Sequence, residues 1–209
     1  SITQTKHDAK LAYRAHLITR TSEKLDRFFM MRDTLLSIVT NDLSPIYYKK
    51  GANEGGRYYV DEVWYSYPNG RIHIRQRYKN RDGIVTEKTY DSSKCLYDMM
   101  SMLLRARSFR AEDFRVGEKF QLPMADGHKV EDVTLIYRGR EDFQMKSNGT
   151  NYRCLVFSFV EYPDGEEKEI IRFYISDDMN HIPVRLDMYL RFGVAKAYLT
   201  NAKGLRHQK

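Results

Sequence analysis

Asp177 and Asp178 stand side by side near the end of this 209-residue chain, and neighbouring carboxylates can divide acid and base roles between them. Here they precede Met179 and Asn180 and then another alternating run. Asp side chains bond local backbone in turns, so the pair reads as a turn. The six histidines, His7, His16, His73, His128, His181 and His207, are scattered, with no HExxH and no Cys/His cluster at the spacing a metal centre needs. No nucleophile elbow, P-loop or dinucleotide fingerprint occurs. Cys154 lies in an apolar run, where a thiol behaves as an inert hydrophobe. Cys95 and Cys154 leave one bridge or two unpaired thiols open. Asn148-Gly149-Thr150 has the form of a glycosylation sequon but is read as a hairpin turn. The expectation is a non-enzyme with no catalytic residue, no metal and no cofactor.

The polar residues that adjoin apolar runs are better candidates for ligand binding. Asp98 and Arg107 flank a helical stripe, Arg185 follows Pro183, and Tyr189 shares its strand face. The alternative for all four is an ion pair or ordinary strand surface.

These residues need elements to position them. LAYRAHLITR (Leu11 to Arg20) alternates as a strand does,. The next stretch is ambiguous: Ser22 as a cap, with Leu25, Phe28, Phe29 and Leu36 at helical spacing, predicts a short helix, and DTLLSIVT a strand after it,. RYYVDEVWYSY, the turn Pro68-Asn69-Gly70 and RIHIRQRY predict a hairpin,. Arg81-Asp82-Gly83 and Pro163-Asp164-Gly165 mark two more turns. DSSKCLYDMMSMLLRARSF predicts one substantial helix, capped at Asp91 or Ser92, with the stripe Leu96, Met99, Met100, Leu103 and Leu104,. Leu155 to Val160 are apolar on both faces, as in a central strand,. In the closing ribbon Val184, Leu186, Met188, Leu190 and Phe192 alternate with Arg185, Asp187, Tyr189 and Arg191. The phase flips after Gly193, which places that glycine in a turn or bulge.

The chain carries a net charge of +7, with 16 Tyr and 10 Phe but one Trp, Trp64. Tyr-rich strands suit half-buried sheets. No apolar run reaches the ~18 residues that span a membrane. The densest basic stretch, Arg71 to Arg81, alternates with apolar residues like one solvated strand face. Nucleic-acid binding through it is the least favoured partner class. The predicted fold is mainly β: a single antiparallel, strongly curved sheet or barrel built as a meander. One substantial helix packs against it, and a second short one lies near the N-terminus. Residues 1–209 form one domain with an ordered core over about 11–200.

ANEGGRYYVDEVWY, YDMMSMLLRAR, VGEKFQLPMADGHKVEDVTLIYRGRE and YISDDMNHIPVRLDMYLRFGVAKAYL, in that order, resemble the domain-of-unknown-function family 3108. The resemblance runs from about Leu11 to Leu199. It implies no assigned activity. It does imply a bacterial protein exported to the periplasm or cell envelope, with its signal peptide removed. The Pro183-Val184-Arg185 strand is also similar to outer-membrane lipoprotein carriers, whose curved sheets wrap acyl chains around a helical lid. The Cys95 and Cys154 pair and the basic hairpin depart from typical members. The expected function is therefore a binding module holding a lipid or other hydrophobic small molecule in a curved sheet. The alternative is an interaction protein of the envelope that binds a partner protein or polysaccharide.

Overall fold

The computed structural model describes residues 1–21, 27, 30–145, 149–190 and 193–207. Contacts divide the chain into two compact units: Ser1–Arg105 with Pro123–Glu131, and Ala106–Leu122 with Asp132–Lys209.

The first unit is a seven-stranded meander, each strand antiparallel to the next. It runs β1 (Ile2–His7), β2 (Lys10–Arg20), β3 (Met31–Thr40), β4 (Pro45–Glu54), β5 (Arg57–Ser66), β6 (Ile72–Lys79) and β7 (Val85–Ser92). β1 lies ahead of the expected ordered core and pairs with β2 from Ile2↔Ala15 to His7↔Lys10. The β5–β6 connection is the expected Pro68–Gly70 turn, with Asn69 at φ 53. In the next turn the Asn80 side chain accepts from the backbone N–H of Asp82 and Ile84, both at 2.9 Å. The short helix expected behind Ser22 falls mostly outside the described residues, as does Asn148 of the sequon.

Period-2 alternation decides which residues meet across the sheet. The register places Ala15, Ser37, Tyr48, Val63 and Gln76 in one cross-strand row. On that face packs helix α1 (Met99–Ala106). Leu96, Met99, Met100, Leu103 and Leu104 form the expected stripe and meet Leu35, Tyr48, Val63, Tyr65 and Ile74. The helix starts later than expected. Asp91 and Ser92 pair with His73 and Ile72 in the sheet, and Asp98 caps instead. Its Oδ1 accepts from the N–H of Met100 (2.9 Å) and Ser101 (2.8 Å), while Ser101 Oγ accepts from the Asp98 N–H (2.9 Å). That is a capping box with Ser in place of Glu.

The second unit holds most of a six-stranded sheet in the order β13-β12-β11-β10-β9-β8. Its strands are β8 (Lys119–Ala125), β9 (Val130–Gln144), β10 (Asn151–Glu161), β11 (Lys168–Ser176), β12 (Pro183–Leu190) and β13 (Gly193–Tyr198). The tip of the β8–β9 hairpin, Pro123–Glu131, belongs to the first unit. β10 is central, as expected: it pairs with both β9 and β11 and is buried from Cys154 to Val160. Phe157 joins an aromatic cluster with Phe114 (6.0 Å) and Tyr137 (5.2 Å). Its neighbour Val156 points the other way, into a cluster with Met145, Cys154, Tyr174, Ile182 and Val184. The β12–β13 register ends at Leu190↔Gly193, with Gly193 at φ 141; the phase flip separates two antiparallel strands as expected, but Gly193 opens β13 rather than sitting in a turn or bulge.

Two expectations are corrected. There are two sheets, not one. Among the described residues neither closes into a barrel, since each is an open row whose two end strands do not pair with each other. The physical reason is the break after β7. The segment of α1 and its cap separates β7 from β8, and β8 pairs with β9 instead. Val184 and Leu199 of the closing ribbon pack in the second unit's core, and the helix stripe packs in the first unit's.

Candidate functional site

The four residues singled out from sequence are committed to the frame. Asp98 is fully buried and also accepts from the Ser37 hydroxyl at 3.0 Å. Burial pushes its carboxyl up to about 6, against the pull of the Ser101, Ser37 and Met100 hydrogen bonds. Arg107 clamps the turn before β12, donating to the carbonyls of Asn180 (2.8 Å) and His181 (3.0 Å). The His181 ring nitrogen Nδ1 lies 2.7 Å from the Arg107 carbonyl. Burial lowers the Arg107 pKa. Arg185 donates to both Asp187 carboxylate oxygens through Nε and Nη2 and lies over the Tyr174 ring at 4.6 Å. Tyr189 bonds Glu169, which also takes a bidentate grip from Arg172 at 2.8 and 2.9 Å. Asp98 belongs to the first unit and the other three to the second.

Asp177 and Asp178 are turn residues, as expected. Asp178 accepts from the Asn180 N–H at 2.9 Å, and Asp177 pairs with Arg140 at 2.9 Å. Both cysteines are free thiols, Cys154 buried and Cys95 exposed. The basic strand face is largely offset by its neighbours. Arg77 pairs with Glu62 at 2.8 Å, Tyr47 donates to the same carboxylate at 2.7 Å, and Arg75 lies over Trp64 at 4.0 Å.

A cleft in the first unit is the stronger candidate. It opens where the β1–β2 turn, the β3–β4 turn and the end of β5 come together, and its volume is about 660 Å³. This is within the range of small-molecule sites. Leu11, Ile46 and Tyr67 supply apolar wall; His7, Lys10 and Asp42 stand among its polar lining. Tyr67 is anchored, donating to the Pro45 carbonyl at 2.6 Å. Hydrogen bonding from Thr40, chiefly, holds the Asp42 carboxyl below its usual range, so this residue is anionic.

Tyr65 also lines the cleft and is only 7% exposed. Its hydroxyl is buried and finds no hydrogen-bond partner among the described residues. Leaving a buried hydroxyl unpaired costs about 1–3 kcal/mol. Burial, reinforced by nearby Asp98, drives its pKa far up, so the hydroxyl keeps its proton and stands as a donor. Sequence reasoning missed this residue. Tyr65 alternates within β5 like any inward-facing strand residue, and nothing local marks its hydroxyl as unpaired.

A family described as a protein of unknown function, DUF3108, matches residues 1–200. Neither a curated protein nor a solved structure matches the chain. Among the described residues no helix is long and apolar enough to cross a membrane.

Proposed function

The chain belongs to DUF3108, whose description assigns no activity, and we propose that it is a non-enzymatic binding module whose first unit holds one small amphipathic molecule. The observation that carries this reading is the cleft lined by Tyr65, whose buried hydroxyl has no hydrogen-bond partner among the described residues. The site asks for an oxygen that accepts one hydrogen bond on an otherwise apolar body. That body would lie against Leu11, Ile46 and the Tyr67 ring. The buried carboxylate of Asp98, close enough to Tyr65 to raise its pKa, disfavours an anion at the floor. A neutral ester or alcohol oxygen suits it better, with any charged group left at the mouth. A bacterial periplasmic or envelope location is part of this proposal, and the family resemblance is what supports it.

Calorimetric titration of the purified chain with monolauroyl glycerol tests this reading. One equivalent is expected to bind, more tightly than dodecanoate. Tyr65→Phe should weaken it about tenfold, the size of one lost hydrogen bond, without destabilising the free protein. Ile46→Arg should abolish binding. A bare chain mass in native mass spectrometry after incubation with envelope lipids, together with no heat on titration, would overturn it.

One observation favours a second reading, an envelope interaction protein. Tyr47, Trp64 and Arg75 form a contiguous cross-strand row on one face of β4–β6, and these residue types dominate binding hot spots. Trp64→Ala abolishing capture of a reproducible partner, with monolauroyl glycerol binding absent, would decide for it.

A further inference from the structure

The tip of the β8–β9 hairpin is held on β5 and β6 with unusual closeness. The Gln76 side-chain amide donates to the carbonyls of Asp126 (2.5 Å) and Lys129 (2.9 Å). The backbone of Tyr97 bonds both Pro123 and Ala125, at 3.0 and 2.8 Å. Gly127 lies so near β5 that a Cβ there would stand 2.6 Å from the Asp61 Cα and 2.7 Å from its Oδ1. This docking brings two tip side chains, Asp126 and His128, to Asp61.

We propose that Asp61, Asp126 and His128 form a binding site for one divalent cation of the zinc class. The His128 Nδ1 lies 3.1 Å from Asp61 Oδ1 and 3.2 Å from Asp126 Oδ1. One ligand atom from each residue falls within 4.8 Å of the others. Ligands ~2.0–2.1 Å from a tetrahedral zinc stand ~3.3 Å apart, so two of the three edges already have the right length. Two carboxylate oxygens and one imidazole nitrogen form a mixed donor set, which suits zinc better than calcium or magnesium. It is the one such group among the described residues.

Electrostatics point the same way. Asp61 is 3% exposed, so its carboxylate is held out of water beside that of Asp126. Lys50, opposite Asp61 in β4, supplies one positive charge against these two carboxylates. That leaves a net charge of about −1 on the group, which a bound cation would offset. The frame is rigid where a metal site needs it to be: Asp126 also accepts from the N–H of His128 and Lys129, each at 2.9 Å. The Tyr78 ring holds the imidazole at 4.9 Å between centroids. The His128 and Asp126 side chains are 43% and 30% exposed, so the site opens to solvent on one side and water can complete the coordination. The metal would clip the hairpin tip to β5.

The chelator-treated full chain should be titrated with Zn²⁺ by calorimetry and with Co²⁺ by visible absorption. Expected are one equivalent of Zn²⁺, a higher melting temperature, and a Co²⁺ spectrum of tetrahedral intensity. His128→Gln and Asp61→Asn, the latter nearly isosteric, should each lower the affinity at least a hundredfold. His16→Gln and His73→Gln should leave it unchanged. No binding by the wild-type chain, or binding that survives His128→Gln and Asp61→Asn in variants whose folded spectra match the wild type, overturns the proposal.

Discussion

Replacing Asp98 by alanine is expected to lower stability by about 2 kcal/mol at pH 7, the sum of a lost helix cap and orphaned buried donors. Three donors converge on this carboxylate: the Met100 and Ser101 N–H groups and the Ser37 hydroxyl. Alanine strands all of them in the core and unpins α1 from β3. The pH dependence separates this cause from simple loss of packing. Burial pushes the folded carboxyl up to about 6, against an ordinary value of 3.8. Between pH 4 and 6 the native state therefore keeps a proton that the unfolded chain has released. Stability from this group is full below pH 4, falls as pH rises through 6, and is constant above. The whole swing is up to about 3 kcal/mol. The alanine variant lacks it, so its deficit should widen as pH falls from 7 to 4. Asp98→Asn keeps a capping oxygen and removes the titration. It should match or exceed wild-type stability at pH 7 and flatten the curve. Urea denaturation of the three proteins at pH 4.5 and pH 7.5 measures this. An unchanged pH slope in the asparagine variant would sink the assignment.

Gly127→Ala is expected to cost about 3 kcal/mol, the upper end for overpacking. The added methyl would meet the Arg77 carbonyl oxygen and the Asp61 Cα, each at 2.6 Å. Both are backbone atoms of paired strands, so neither can swing aside as a flexible side chain would. The hairpin tip must lift instead, and the Gln76 hydrogen bonds to Asp126 and Lys129 go with it. Hydrogen exchange should show lost protection across Pro123–Glu131, and the response to Zn²⁺ should vanish. At Gly56 a Cβ would meet nothing within 4 Å, and only its φ of +78 opposes a side chain. Gly56→Ala should cost only the left-handed penalty of about 1–2 kcal/mol. Equal losses at the two glycines would show that the tip is not docked as described.

Most strands and their neighbours were determined by the sequence itself. Alternation of period 2 and the turns at Pro68–Gly70, Arg81–Gly83 and Pro163–Gly165 are local signals, and a meander pairs each strand with the next. The stripe of α1 was legible for the same reason, because helical periodicity lies within a few turns. Its starting point was not. Asp91, Ser92 and Asp98 are all good caps, and pairing of the first two with β6 decided among them. Where one sheet ends and the next begins also rests on tertiary pairing, since a hairpin signal does not say which strands remain unpaired. The site features were the least visible. Asp61 and His128 lie on β5 and the β8–β9 tip with most of the first sheet's last strands and the helix between them. Each looks like an ordinary polar residue in its own segment. Only the docking of the tip, through Gly127 and Gln76, makes them neighbours. Tyr65 is the same case: a tyrosine on the inner face is a local fact, and a hydroxyl left without a partner is a property of everything packed around it.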